Sequence, residues 1–170
     1  MRLDARGFAA LDILQMHGRS RKYFNAPFQY AARSANSRFV LIEALRREAL
    51  RVITIALGGA EKGATQVYET AFRPPEKRYR PWVERCHAQT HAALAELDRL
   101  CQLRGDDWLI GNRMTQADIT ATCCYTFLSD ALGINRDTVV YPALAAVAGR
   151  CEALPEFRSV KADWFAPGDA

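Results

Sequence analysis

Between Leu45 and Val67, small or apolar residues return every three or four positions: Leu45, Ala49, Val52, Ala56, Ala60, Gly63 and Val67. An α-helix lines such positions along one face, whereas a strand would need a period of two. The segment is therefore predicted as one long amphipathic helix over roughly residues 42–72. Pro74 and Pro75 end it, because proline lacks the amide proton that continues the hydrogen-bond ladder. Gly58, Gly59 and Gly63 lie inside it, and each costs about 1 kcal/mol relative to alanine in a helix interior. Two explanations stand side by side: a weak, slightly kinked stretch, or close approach by a second helix or a ligand.

The same period continues downstream. Pro81 suits the first turn of a second helix running to about Leu103, with Val83, Cys86, Thr90, Leu94, Leu97 and Cys101 as its buried stripe and Glu84, Arg85, Glu96 and Arg99 outside. His87 and His91 are four apart on that helix and could reach one zinc ion. With no H-E-x-x-H glutamate between them, they are read as an exposed or hydrogen-bonded pair, and no metal is expected. Thr115 and Asp118 have the spacing of a capping box: the hydroxyl accepts from an early helical amide while the carboxylate reaches back to the amide of Thr115. Met114 and Ile119 stand where a hydrophobic staple forms. A third helix is thus predicted from Thr115 to Gly133, with Ile119, Cys123, Phe127 and Ala131 or near neighbours inward. Loss of the cap should cost about 1 kcal/mol. A fourth helix opens at Tyr141-Pro142, buries Leu144, Val147, Cys151 and Leu154, and is expected to stop at Pro155 before a short turn. Trp164 and Phe165 should pack back onto the helices. No credible strand is present, so the fold class is all-α, a helical bundle.

Charge divides the chain. Residues 1–40 hold seven basic and two acidic side chains, a net +5, and the remainder holds sixteen and seventeen, a net −1. The first part is read as a basic extension, poorly ordered or a remnant. An Arg-rich, acid-poor targeting peptide fits the composition but is less favoured, and a nucleic-acid-binding arm ranks last, because seven cations over forty residues are not dense. No apolar run reaches the ~20 residues of a membrane span. Five cysteines with no C-x-x-C pair fit reduced core residues of a cytoplasmic protein.

The run Trp108-Leu-Ile-Gly-Asn-Arg-Met-Thr-Gln-Ala-Asp-Ile119, the segment from Tyr141-Pro142 through Arg150, and Leu154-Pro155-Glu-Phe157 together resemble the C-terminal helical domain of glutathione S-transferases. The resemblance covers about residues 42–165. It implies a basic extension over 1–40, a helical domain over 41–166 and a tail over 167–170. In that family a thioredoxin-like domain precedes the helices, binds glutathione and supplies the residue that activates its sulfur. No such pattern is legible in residues 1–40, so no catalytic residue is assigned. Glutathione is implied as co-substrate only if a thioredoxin-like domain is supplied.

The resemblance further implies that the helical half lines the site for a hydrophobic electrophile, with Tyr68, Phe72, Tyr125 and Trp164 as candidate substrate-binding residues. Thr115 and Asp118 are assigned to folding. Such a half should be inactive alone, though of a transferase and detoxification lineage. The alternative is a non-catalytic docking or assembly module. An exposed apolar face would then join a second copy or a partner protein. A hydrophobic small molecule is a possible ligand, and nucleic acid and membrane are not expected.

Overall fold

The computed structural model describes residues 43–105, 107–134, 140–162 and 164. The basic extension, Phe165 and the tail lie outside these residues. Five α-helices follow one another: α1 Glu43–Ala71, α2 Arg80–Arg104, α3 Gln116–Leu132, α4 Pro142–Glu152 and α5 Pro155–Arg158, with a 3₁₀ turn at Pro75–Lys77 between the first two. No strand occurs among the described residues, and none of their helices is long and apolar enough to cross a membrane.

Helix α1 is flanked by α2 and α3, α4 closes against α2 and α3, and α5 rests on α4. The expected face of α1 turns inward: Ala49, Val52, Ala56 and Ala60 are buried. Their small side chains let the other helices come close. A Cβ on Gly59 would lie 2.8 Å from Cβ of Ala93 on α2, and one on Gly63 would collide with Cδ2 of Leu128 on α3. Nothing lies within 4 Å of the equivalent point on Gly58. Two of the three glycines are therefore helix-crossing residues, and Gly58 is not. Thr90, fully buried where α1 and α2 cross, accepts from Gln66 Nε2 (3.0 Å) and donates to the Cys86 carbonyl (3.0 Å). Arg104 reaches Glu48 and Arg51 reaches Glu96, so α1 and α2 run antiparallel.

Three boundaries and faces differ from expectation. Helix α4 ends at Glu152, and Pro155 opens α5 rather than merely stopping α4. Proline's fixed φ suits a first turn as well as a break. The line of α3 that enters the main core is Ala117, Ala121, Cys124 and Leu128, the last two being neighbours of the expected Cys123 and Phe127, which like Ala131 are only half-buried. Helix α3 lies between α1 and α4, so its first two turns are covered on several sides and a single-stripe reading fails. Ile119 instead joins Cys151 and Phe157 in a second, smaller core that Trp108, Met114, Cys123 and Leu154 complete.

Candidate functional site

The end of α1 carries the aromatic pair Tyr68 and Phe72, one turn apart, with ring centroids 5.7 Å apart. Tyr68 is half-buried and Phe72 is 57% exposed. Between them Glu69 is buried, its Oε1 3.0 Å from Nε of Arg73. The chain then turns through the prolines, and Arg78 folds back to donate to the carbonyls of Thr70 (2.5 Å) and Arg73 (2.9 Å). A cation on the last carbonyls of a helix satisfies acceptors that the helix cannot and complements its dipole. This contact holds the loop after Phe72 in place. Across the loop, Tyr79 and Trp82 are exposed, and Nζ of Lys62 sits 5.7 Å from the centre of the Trp82 ring.

The four candidate substrate-binding residues fall into separate surroundings. Tyr68 and Phe72 are brought together on α1. Tyr125 is half-buried and packs against the main core. Trp164 comes back onto α3, as expected, and meets Phe127 edge-on at 5.6 Å. Thr126 and Lys161 both bind Glu152 nearby, at 2.6 and 3.2 Å, and so tie α3, α4 and the segment before Trp164 together.

The loop before α3 is fixed by its cap. Thr115 Oγ1 accepts from the amide of Ala117 (3.2 Å) and donates to Asp118 Oδ2 (2.8 Å), and the amide of Thr115 donates to the same oxygen (2.8 Å). The other carboxylate oxygen accepts from the amide of Leu109 (2.7 Å). Burial pushes the Asp118 carboxyl above its usual range, and these donors pull it back. Every one of these partners belongs to the loop or the cap, so the group is fully engaged in holding the entry to α3.

Two buried polar links escape the sequence reading. Asp98, 5% exposed on α2, accepts from the Leu144 amide (2.9 Å) and from Gln102 Nε2 (2.6 Å). Helix α4 has no side-chain cap of its own at Tyr141, and Asp98 supplies one from another helix. The Tyr141 hydroxyl lies 2.6 Å from Nδ1 of His91. An apolar stripe signals neither link, because each depends on which helix end lies beside α2.

All five thiols are free. Burial raises each of them: Cys151 to about 11, Cys101 and Cys124 to about 12, and Cys86 and Cys123 in the same direction. They stay protonated and weakly nucleophilic at neutral pH.

Residues 80–150 match the family model described as "Glutathione S-transferase, C-terminal domain". Among solved structures, a glutathione S-transferase from Methylobacterium radiotolerans in complex with glutathione sulfonate is 28% identical, with a TM-score of 0.63 over 72% of this chain and 56% of that one. One from Methylobacillus flagellatus with glutathione bound gives 17% identity and a TM-score of 0.65 over 72% and 59%. A glutathione transferase family member from Pseudomonas fluorescens, also with glutathione bound, gives 22% and 0.57 over 70% and 56%. The last two show the fold alone. The chain spans little more than half the length of these structures. No curated protein sequence matches it. By the family match, the shared fold and the order of its own helices, the chain carries a glutathione S-transferase C-terminal domain.

Proposed function

We propose that the chain serves as the helical half of a glutathione S-transferase-like protein and forms the apolar wall against which a hydrophobic electrophile meets glutathione. The observation that carries this reading is the Tyr68–Phe72 pair. It presents an exposed aromatic surface at the end of α1, in a domain whose 28%-identical structural relative holds a glutathione derivative. Aromatic rings of this kind supply large apolar contact with defined geometry. Tyr125 and Trp164 are proposed to extend the wall from α3 and the segment after α5.

In such a reaction the glutathione sulfur attacks as thiolate, held ionised by a nearby donor, and holding the electrophile beside it supplies much of the rate. By the family resemblance, the activating donor is assigned to a glutathione-binding domain outside the described helices. A transferase role, detoxification and a cytoplasmic location are parts of the same proposal.

The test is calorimetric titration of the purified 170-residue chain with glutathione, then a chlorodinitrobenzene conjugation assay on the same sample. No heat and no turnover are expected. Tight binding with robust turnover would show that this chain assembles a glutathione site by itself and would overturn the division of labour.

A second reading, a non-catalytic docking module, is favoured by one observation. Phe72, Tyr79 and Trp82, all exposed, fall within eleven residues around the turn between α1 and α2. Aromatic clusters with interleaved arginines are typical of interface anchors. Sedimentation that shows a strict monomer at high concentration would count against self-association through this corner.

A further inference from the structure

The spacing of His87 and His91 alone gives no expectation of a metal, but with His91 anchored by Tyr141 we propose that the pair forms a two-histidine chelate on α2 for a late first-row divalent cation such as Ni²⁺, Cu²⁺ or Zn²⁺. The pair is four residues apart on one helix, so both rings project from the same face. Their centroids are 4.3 Å apart and the ring planes are inclined at 43°. Two imidazole nitrogens bound at 2.0–2.1 Å to a tetrahedral ion lie about 3 Å apart, a separation that rings this close can meet.

What distinguishes this pair from any histidines at such spacing is the fixed second ring. His91 Nδ1 is 2.6 Å from the Tyr141 hydroxyl oxygen, and that hydroxyl is 3.4 Å from the His91 carbonyl oxygen. In the Nδ1–H tautomer the hydroxyl donates to the carbonyl, Nδ1–H donates to the hydroxyl, and Nε2 keeps its lone pair for a metal; the proposal requires this tautomer. An imidazole held through its other nitrogen is the usual state of a metal-ligating histidine. Tyr141 is only 5% exposed at the start of α4, so it is a rigid anchor.

His87 is exposed, which leaves room for water to complete the coordination. No group of three His, Cys, Asp or Glu side chains among the described residues could enclose an ion. The site is therefore an open chelate that selects by the nitrogen preference of late transition metals rather than by a closed cage, with Cu²⁺ the tightest. Mg²⁺ and Ca²⁺, which prefer oxygen, should not bind.

The experiment is titration of the full chain with Ni²⁺ at neutral pH in a non-chelating buffer, with thermal melts to show that each variant is folded. Saturable binding near one equivalent is expected, weakened at least tenfold by His87→Ala and by His91→Ala, and several-fold by Tyr141→Phe. The parent with Cu²⁺ should show nitrogen hyperfine structure by paramagnetic resonance, reduced in His87→Ala. No saturable uptake, or uptake unchanged in the H87A/H91A double variant, would overturn the site. Unchanged affinity in a folded Tyr141→Phe variant would overturn the orienting role.

Discussion

Single residues decide how closely the helices of this bundle approach. Gly58, Gly59 and Gly63 look alike in sequence, yet α2 meets one, α3 meets another, and solvent meets the third. Gly58→Ala should stabilise the protein by about 0.5–1 kcal/mol, because it removes backbone freedom from the unfolded chain without meeting any neighbour. Gly63→Ala gains the same propensity but drives a methyl into Leu128, a side chain 1% exposed in the core. Overpacking of a full core costs about 1–3 kcal/mol, so a net loss is expected. Urea titration of both variants checks the pair. Equal and positive shifts in midpoint would mean that Leu128 moves aside freely, and the close-packing argument would fail. The Tyr68–Phe72 pair belongs to this scale too. Its spacing is evident in sequence, but that Phe72 stays 57% exposed is a property of the turn that follows.

Each helix, taken as an element, is fixed by its ends, and the ends differ in how local their support is. Helix α3 has its cap three residues away, in Thr115 and Asp118. The capping box is accordingly legible in the amino-acid sequence, since all of its members lie within one turn. Helix α4 has proline in its first turn and no local side-chain cap, and depends on Asp98 from α2. Asp98→Ala leaves the buried amide of Leu144 without an acceptor, which should cost about 1–3 kcal/mol. Asp98→Asn keeps an oxygen there and should lose less. Chemical denaturation of the two variants separates them. An Asp98→Ala protein as stable as the parent would show that water replaces the carboxylate and that the inter-helix cap contributes nothing. The face of α3 is the least legible feature, because a helix buried between two others has no single apolar stripe for periodicity to detect.

Over the whole molecule, the helices share a titration behaviour that no one of them sets. Five thiols, spread over α2, α3 and α4, are raised from an ordinary value of 9.0, Cys151 to about 11 and Cys101 and Cys124 to about 12. A group whose folded pKa is raised stabilises the fold fully below its unfolded pKa, and that stability is lost as pH rises through the folded value. The unfolded chain ionises its thiols first, so stability should fall progressively above about pH 9. Melting temperatures from pH 7 to 11, compared with a variant carrying Cys101→Ala and Cys151→Ala, measure the effect. A parent profile no steeper than the variant's would refute it. The same burial predicts slow reaction with thiol reagents at neutral pH until the protein unfolds.

The helical class, the approximate helix ends, the cap of α3 and the inward face of α1 are all written in the amino-acid sequence. They depend on periodicity and on contacts within a few residues, which are local physics. Packing alone settles which glycines are crossing points, that α2 caps α4, that Tyr141 fixes His91, and that Trp164 meets Phe127. Each of these joins residues dozens of positions apart. Their partners are set by how the helices lie against one another, and that arrangement is written in no single stretch of the chain.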